Sequence, residues 1–121
     1  MMKLGLTFDL QTDPTDPRQA EFEPPATIEA VRRALETLEH EVTLLGNAFD
    51  LLKAPERLRD VELVFNIAEG TESRCREAWV PNLLELHGVP YVGSDALALM
   101  IGLDKVLCKR LAAASGIQTP A

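Results

Sequence analysis

The sequence predicts a three-layer α/β domain, a mostly parallel sheet of about four strands with helices on both faces. Three observations carry that reading. Short apolar runs alternate along the chain with segments whose apolar residues recur at helical spacing. One run, Val61–Ile67, is apolar apart from Glu62 and the polar Asn66, as expected of a strand covered on both faces of a parallel sheet. The length, 121 residues, suits one domain that buries roughly 65% of its unfolded surface around a single core.

The elements follow in order. Lys3–Asp9 is a short apolar run and reads as the first strand. Residues 10–26 contain Pro14, Pro17, Pro24 and Pro25 among several acids, which predicts a long functional or mobile loop. Thr27 is placed to cap a helix in which Ile28, Val31, Leu35 and Leu38 form the inner face. Val42–Leu45 reads as the second strand, with Gly46-Asn47 as its exit turn. Ala48–Arg59 predicts a short helix broken near Pro55. After the strand Val61–Ile67 comes a polar loop, Ala68–Arg76. Glu77–His87 reads as a helix ended by Gly88, and Pro81 is tolerable there only in the first turn, where its missing N–H costs nothing. Pro90–Val92 is a short fourth strand. Ser94 or Asp95 caps a helix running to about Ile101, and Lys105–Ala114 is a last helix ending at Gly116. His40 and His87 each stand near a helix C-terminus and read as structural, and Trp79 reads as a core or interface aromatic.

Composition narrows the function classes. The net charge of −7 and the lack of a basic stripe argue against nucleic acid as partner, and the same sign disfavours an anionic membrane surface. No segment approaches the roughly 20 apolar residues of a membrane span, and the start of the chain is too briefly apolar for a signal peptide. Cys75 and Cys108 lie in unlike contexts without metal-ligand spacing, as in a reduced cytoplasmic protein. No metal site is expected. With aromatics at 5%, aliphatic packing must build the core.

Ligands of parallel sheets bind at the carboxyl ends of the strands. Three features fall there. The loop after the third strand offers Glu69, Gly70, Glu72 and Arg74, with Glu69 aimed at the ligand edge and Gly70 suited to a positive-φ turn or a close backbone approach. Asp9, Glu21 and Glu23 supply carboxylates that suit a cationic amine, or else merely face solvent. Gly93-Ser94 forms the turn after the fourth strand. Further on, Asp104 caps the last helix and puts Lys105 in its first turn, where a cation opposes the helix dipole by a few tenths of a kcal/mol. Lys109 adds a like charge one turn later. A phosphate at that helix N-terminus relieves both penalties; a lysine extended into solvent is the plainer alternative.

Three blocks, Val64–Gly70, Leu83–Ser94 and Leu103–Pro120, resemble the D-alanine–D-alanine ligase family of ATP-grasp enzymes, over about half of the chain. The resemblance implies a Rossmann-like pre-ATP-grasp domain over residues 1–116, with residues 117–121 beginning a linker to a C-terminal ATP-grasp domain. It implies an enzyme that uses ATP and Mg2+ to turn one amino acid's carboxylate into an acyl-phosphate, which the amine of a second attacks. Lys105 matches the lysine that contacts the nucleotide phosphates, Ser94 matches the Thr-Gly-Ser turn, and Glu69, Gly70, Glu21 and Glu23 stand on the amino-acid side. Catalytic groups and metal carboxylates are expected outside this chain, so residues 1–121 alone are expected to be inactive and to hold no cofactor. A homodimer is kept as a candidate partner state.

The chain also departs from the family. Glu69 stands where typical ligases carry histidine, Arg74–Ala78 replaces an acidic Gly-Glu-Asp-Gly segment, and the Pro-rich loop replaces a Gly-Gly-x-Ser loop. These departures make a sister ligase, joining another amino acid or amine, the nearest alternative. A non-catalytic binding module that kept the fold is the alternative from another class.

Overall fold

The computed structural model describes residues 1–120; Ala121, at the end of the expected linker, lies outside them. Four strands, β1 (Lys3–Phe8), β2 (Glu41–Gly46), β3 (Leu63–Ile67) and β4 (Tyr91–Val92), form one sheet in the order β2-β1-β3-β4. All pairings are parallel, with Leu6 opposite Leu44 on one side and Phe65 on the other, and Phe65 opposite Val92. The helices are α1 (Pro25–Thr37), α2 (Ala48–Lys53), α3 (Trp79–Leu86), α4 (Ala96–Leu103) and α5 (Lys105–Ala114).

The expected fold class therefore holds, with helices on both faces. Period-2 alternation sends Leu44 and Leu45 to opposite sides of β2. Leu44 lines a shallow cavity with Phe8 and Ile28 beside α1, whereas Leu45 joins Ala48 and Leu51 of α2, Val80 and Leu84 of α3, and Val64 of β3 in the main core. Leu45, Val64 and Leu84 are fully buried. Gly5 makes room for this layer from the central strand, since a Cβ there would lie 2.4 Å from Cδ1 of Leu45. Beyond the sheet, α4 packs on α3 and the turn before it, and α5 packs on α4. No residue of α5 is buried.

Several element boundaries differ from expectation for local reasons. Helix α1 starts at Pro25, before Thr27, because a proline at the first helical position brings the right φ and lacks only an N–H that would be orphaned anyway. Thr27 is thus inside the first turn rather than the cap. Helix α2 stops at Lys53, since the residue before Pro55 is driven out of the helical region, and a 3₁₀ turn, Pro55–Leu58, follows. Strand β3 begins at Leu63 because the Val61 N–H is taken by the Leu58 carbonyl at 3.2 Å. Helix α3 begins at Trp79 after a 3₁₀ turn, Arg76–Ala78, which still leaves Pro81 in the first turn. Asp95, not Ser94, caps α4 by accepting from the Ala98 N–H at 2.8 Å. Helix α4 continues past Ile101 to Leu103.

Candidate functional site

The carboxyl ends of β1 and β3 are tied by buried polar groups. Asp9 is buried, and its Oδ2 accepts from the N–H groups of Glu69 at 3.0 Å and Gly70 at 2.7 Å. The fully buried Thr7 donates its hydroxyl to Oδ1 of Asn66 at 2.8 Å, and Asn66 also accepts from the Ala68 N–H. Asp9 therefore serves the backbone of the β3–α3 loop rather than presenting a free carboxylate. Gly70 meets both conditions read from the sequence: its φ is +69°, and a Cβ there would sit 2.5 Å from the carbonyl oxygen of Arg76. This contact sets where the Arg76 backbone runs.

Around Arg76 the structure gathers residues distant in sequence. Its guanidinium pairs with Glu21 at 2.5 Å, across 55 residues. Glu69 is half-buried, and burial pushes its carboxyl above the ordinary range. The negative charges of Glu77, Glu21 and Asp9 push the same way, and Arg76 pulls partly back. Arg76 thus pairs with Glu21 and acts electrostatically on Glu69 as well.

The Pro-rich loop that delivers Glu21 is well organised. A 3₁₀ turn, Pro17–Gln19, is capped by Asp16, and the Gln19 side chain accepts from the N–H groups of Thr12 and Asp13. Glu23 anchors the loop through its backbone, donating to the Asp9 carbonyl and accepting from the Gln11 N–H, each at 2.9 Å. The Glu23 carboxylate makes no hydrogen bond among the described residues. Ser94 is exposed in the turn after β4, at the same sheet edge, and its hydroxyl is likewise unbonded among them.

Lys105 occupies the first position of α5. Asp104 caps that helix by accepting from the Leu107 N–H at 3.0 Å, and also pairs with Arg74 at 2.6 Å. The Leu107 N–H first, and Arg74 second, hold the Asp104 carboxyl below the usual range. A cavity of about 400 Å³ is lined here by Arg74, Arg76, Leu103, Asp104, Lys105 and Val106. Sequence reasoning placed Arg74 in the loop but did not join it to Lys105, and it passed over Arg76 altogether. Two arginines flanking Cys75 were the available signal. Their partners, Asp104 and Glu21, lie 30 and 55 residues away, beyond any local pattern.

Other cavities are less suited to this chemistry. One of about 660 Å³ lies by Pro55, Arg59, His87 and Val89, towards the amino ends of the strands. A third of about 310 Å³ lies between the first loop and α2, lined by Asp9, Asp16, Arg18, Phe49 and Glu72 among others. Among the described residues no group of three or more His, Cys, Asp or Glu is arranged to hold a metal ion, and no helix is long and apolar enough to cross a membrane.

No protein-family model matches the chain. A protein of Sinorhizobium fredii named "Uncharacterized protein y4sG" is 38% identical over 99 residues, covering 76% of this chain and 30% of that protein. A D-alanine–D-alanine ligase of Gloeobacter violaceus is 42% identical over 94 residues, with the same coverage of 76% and 30%. One of Thermotoga maritima is 35% identical over 82 residues, covering 68% of this chain and 26% of the ligase. The crystal structure of the D-alanine–D-alanine ligase of Bacillus anthracis complexed with ATP superposes with a TM-score of 0.74. That match covers 100% of this chain and 38% of the ligase, and its 23% identity makes it a likeness of fold. The chain thus spans about 30% of the length of the first curated relatives it matches, and over that stretch it is homologous to the D-alanine–D-alanine ligases.

Proposed function

We propose that residues 1–116 form the amino-acid-side domain of an ATP-dependent carboxylate–amine ligase, with residues 117–121 leading into an ATP-grasp domain. The observation that carries this reading is the basic cavity at the start of α5. Lys105, a cation where the helix dipole disfavours one, shares it with Arg74 and Arg76, beside the carboxylates at the sheet's ligand edge. Such a cavity suits nucleotide phosphates, because three cations line it against the single carboxylate of Asp104. Glu69 and Glu23 are the carboxylates for a substrate amine, Gly70 shapes the loop, and Ser94 borders the same edge. Bound ATP supplies the phosphoryl group that activates the substrate carboxylate. Mg2+ would be held by carboxylates outside these residues, as would the groups that complete catalysis. The setting is the cytoplasm, and the pathway is peptidoglycan precursor synthesis if the amino acid is D-alanine.

Phosphate release from ATP tests this reading. The 121-residue chain alone, with ATP, Mg2+ and amino acids, is expected to release none. A protein of the relatives' full length carrying these residues is expected to release phosphate only when a fitting amino acid is present. In it, Lys105→Ala should weaken nucleotide use roughly 10- to 100-fold, the scale of one charge-assisted contact. Turnover by the short chain would overturn the domain division. Amino-acid-independent or absent release by the longer protein would overturn the ligase reading.

A further inference from the structure

Arg76 stands on a boundary between opposite charges. On one side is Glu69, on which the charges of Glu77, Glu21 and Arg76 act. On the other side is the cavity it shares with Arg74 and Lys105. The three cations of that cavity are unequally engaged. Arg74 is held by Asp104, itself fixed as a helix cap. Lys105 has no ion-pair partner among the described residues. Arg76 is held by Glu21, whose side chain is 59% exposed while that of Arg76 is only 20% exposed.

The two partners also differ in how firmly they are seated. The Arg76 backbone is locked, with its N–H donating to the Ser73 carbonyl at 3.1 Å and its own carbonyl pressed against Gly70. Glu21 lies on the exposed surface of the first loop, so it can withdraw while Arg76 stays. A planar guanidinium accepts a carboxylate in a two-pronged contact, whether that carboxylate belongs to Glu21 or to a ligand.

We propose that Arg76 is the contact for the α-carboxylate of the amino acid substrate, and that this carboxylate displaces Glu21. An amino acid then lies across the boundary, its amine towards Glu69 and its carboxylate at Arg76, on the Lys105 side where phosphate would meet it. This rests on the functional reading above and adds to it the residue that orients the reacting end. It also casts Glu21 as a competitor that holds Arg76 ready in the free protein, not as a ligand for the amine.

The test is an NMR titration of the 121-residue chain with D-alanine, D-alaninamide and a wider panel of amino acids paired with their amides. Binding of an amino acid should shift the Gly70 amide and the Arg76 side-chain resonance, and its amide should bind about 10-fold more weakly. Arg76→Gln should bind acid and amide alike, with Arg76→Lys restoring part of the preference. Glu21→Gln should tighten amino acid binding several-fold, because the competitor is gone. Undiminished preference for the acid in Arg76→Gln, or weaker binding in Glu21→Gln, overturns the assignment while leaving the domain's amino-acid role standing. No response at Gly70 to any amino acid overturns both. A dispersed spectrum for each variant confirms that it folds.

Discussion

At the scale of single residues, Gly70 and Gly88 separate two reasons for glycine. Both have positive φ, +69° and +68°, but only Gly70 is enclosed, while nothing lies within 4 Å of a Cβ at Gly88. Gly88→Ala should therefore cost about 1 kcal/mol, the left-handed penalty alone. Gly70→Ala adds a clash with the Arg76 carbonyl and should cost roughly 2–4 kcal/mol. Urea denaturation of the two variants checks the difference, and equal losses would remove the packing role of Gly70. Glu69 makes a prediction of opposite sign to the usual carboxylate. Its folded pKa is raised above the unfolded value near 4.5, so the folded state holds the proton more tightly. Stability is greatest with the group protonated and falls as pH rises from the unfolded value through the folded one. Glu69→Gln removes that loss, so its melting temperature should exceed that of the parent increasingly as pH rises above the unfolded value near 4.5. A constant difference across that rise would contradict the burial of this carboxyl. Both residues were legible as candidates in the sequence, since a Glu-Gly pair directly after a buried strand falls on the ligand edge. The cause of the Glu69 shift was not, because its burial, the leading cause, is set by tertiary packing, and the charge of Glu21 comes from another loop.

At the scale of elements, α5 stands apart. It has ten residues, none buried, and it rests mainly on α4. An isolated helix of that length is marginal in water, and most helical stability comes from packing. The Asp104 cap and the Gly116 turn, with its Ile117 N–H to Ala112 carbonyl bond at 2.9 Å, hold its ends. Amides of α5 should therefore exchange with solvent far faster than those of β1 and β3, measured by hydrogen exchange on the 121-residue chain. Comparable protection would mean that α5 is part of the cooperative core. The periodicity of α5 was readable, as were its cap and its first-turn lysine, because capping is a matter of three or four neighbouring residues. That the helix buries nothing was not readable, since its apolar Val106, Leu107 and Leu111 would suit a packed face equally well.

For the molecule as a whole, stability resides in the layer between the sheet and the α2–α3 pair. Leu84 is fully exposed to none of the solvent there and touches the cluster of Leu45, Leu51, Val64 and Val80. Leu84→Ala should cost about 2–5 kcal/mol, a large share of the roughly 5–15 kcal/mol available to a domain of this size. Chemical denaturation reads this directly, and a loss below about 1 kcal/mol would place the core elsewhere. The other face is thinner, with Leu44 exposed to 37% beneath α1. The sequence alone determined the order of elements, the parallel sheet, the edge that carries the loops and the position of Lys105. Each of these is written in residues a few places apart, through periodicity, capping and the twist-imposed hand of the crossovers. Only the tertiary structure decided that Asp9 is spent on backbone N–H groups, that Glu21 reaches Arg76, and that Arg74 and Arg76 join Lys105 around one cavity. Those meetings depend on the paths of two irregular loops, and a loop's path is set by long-range contacts that no local pattern records.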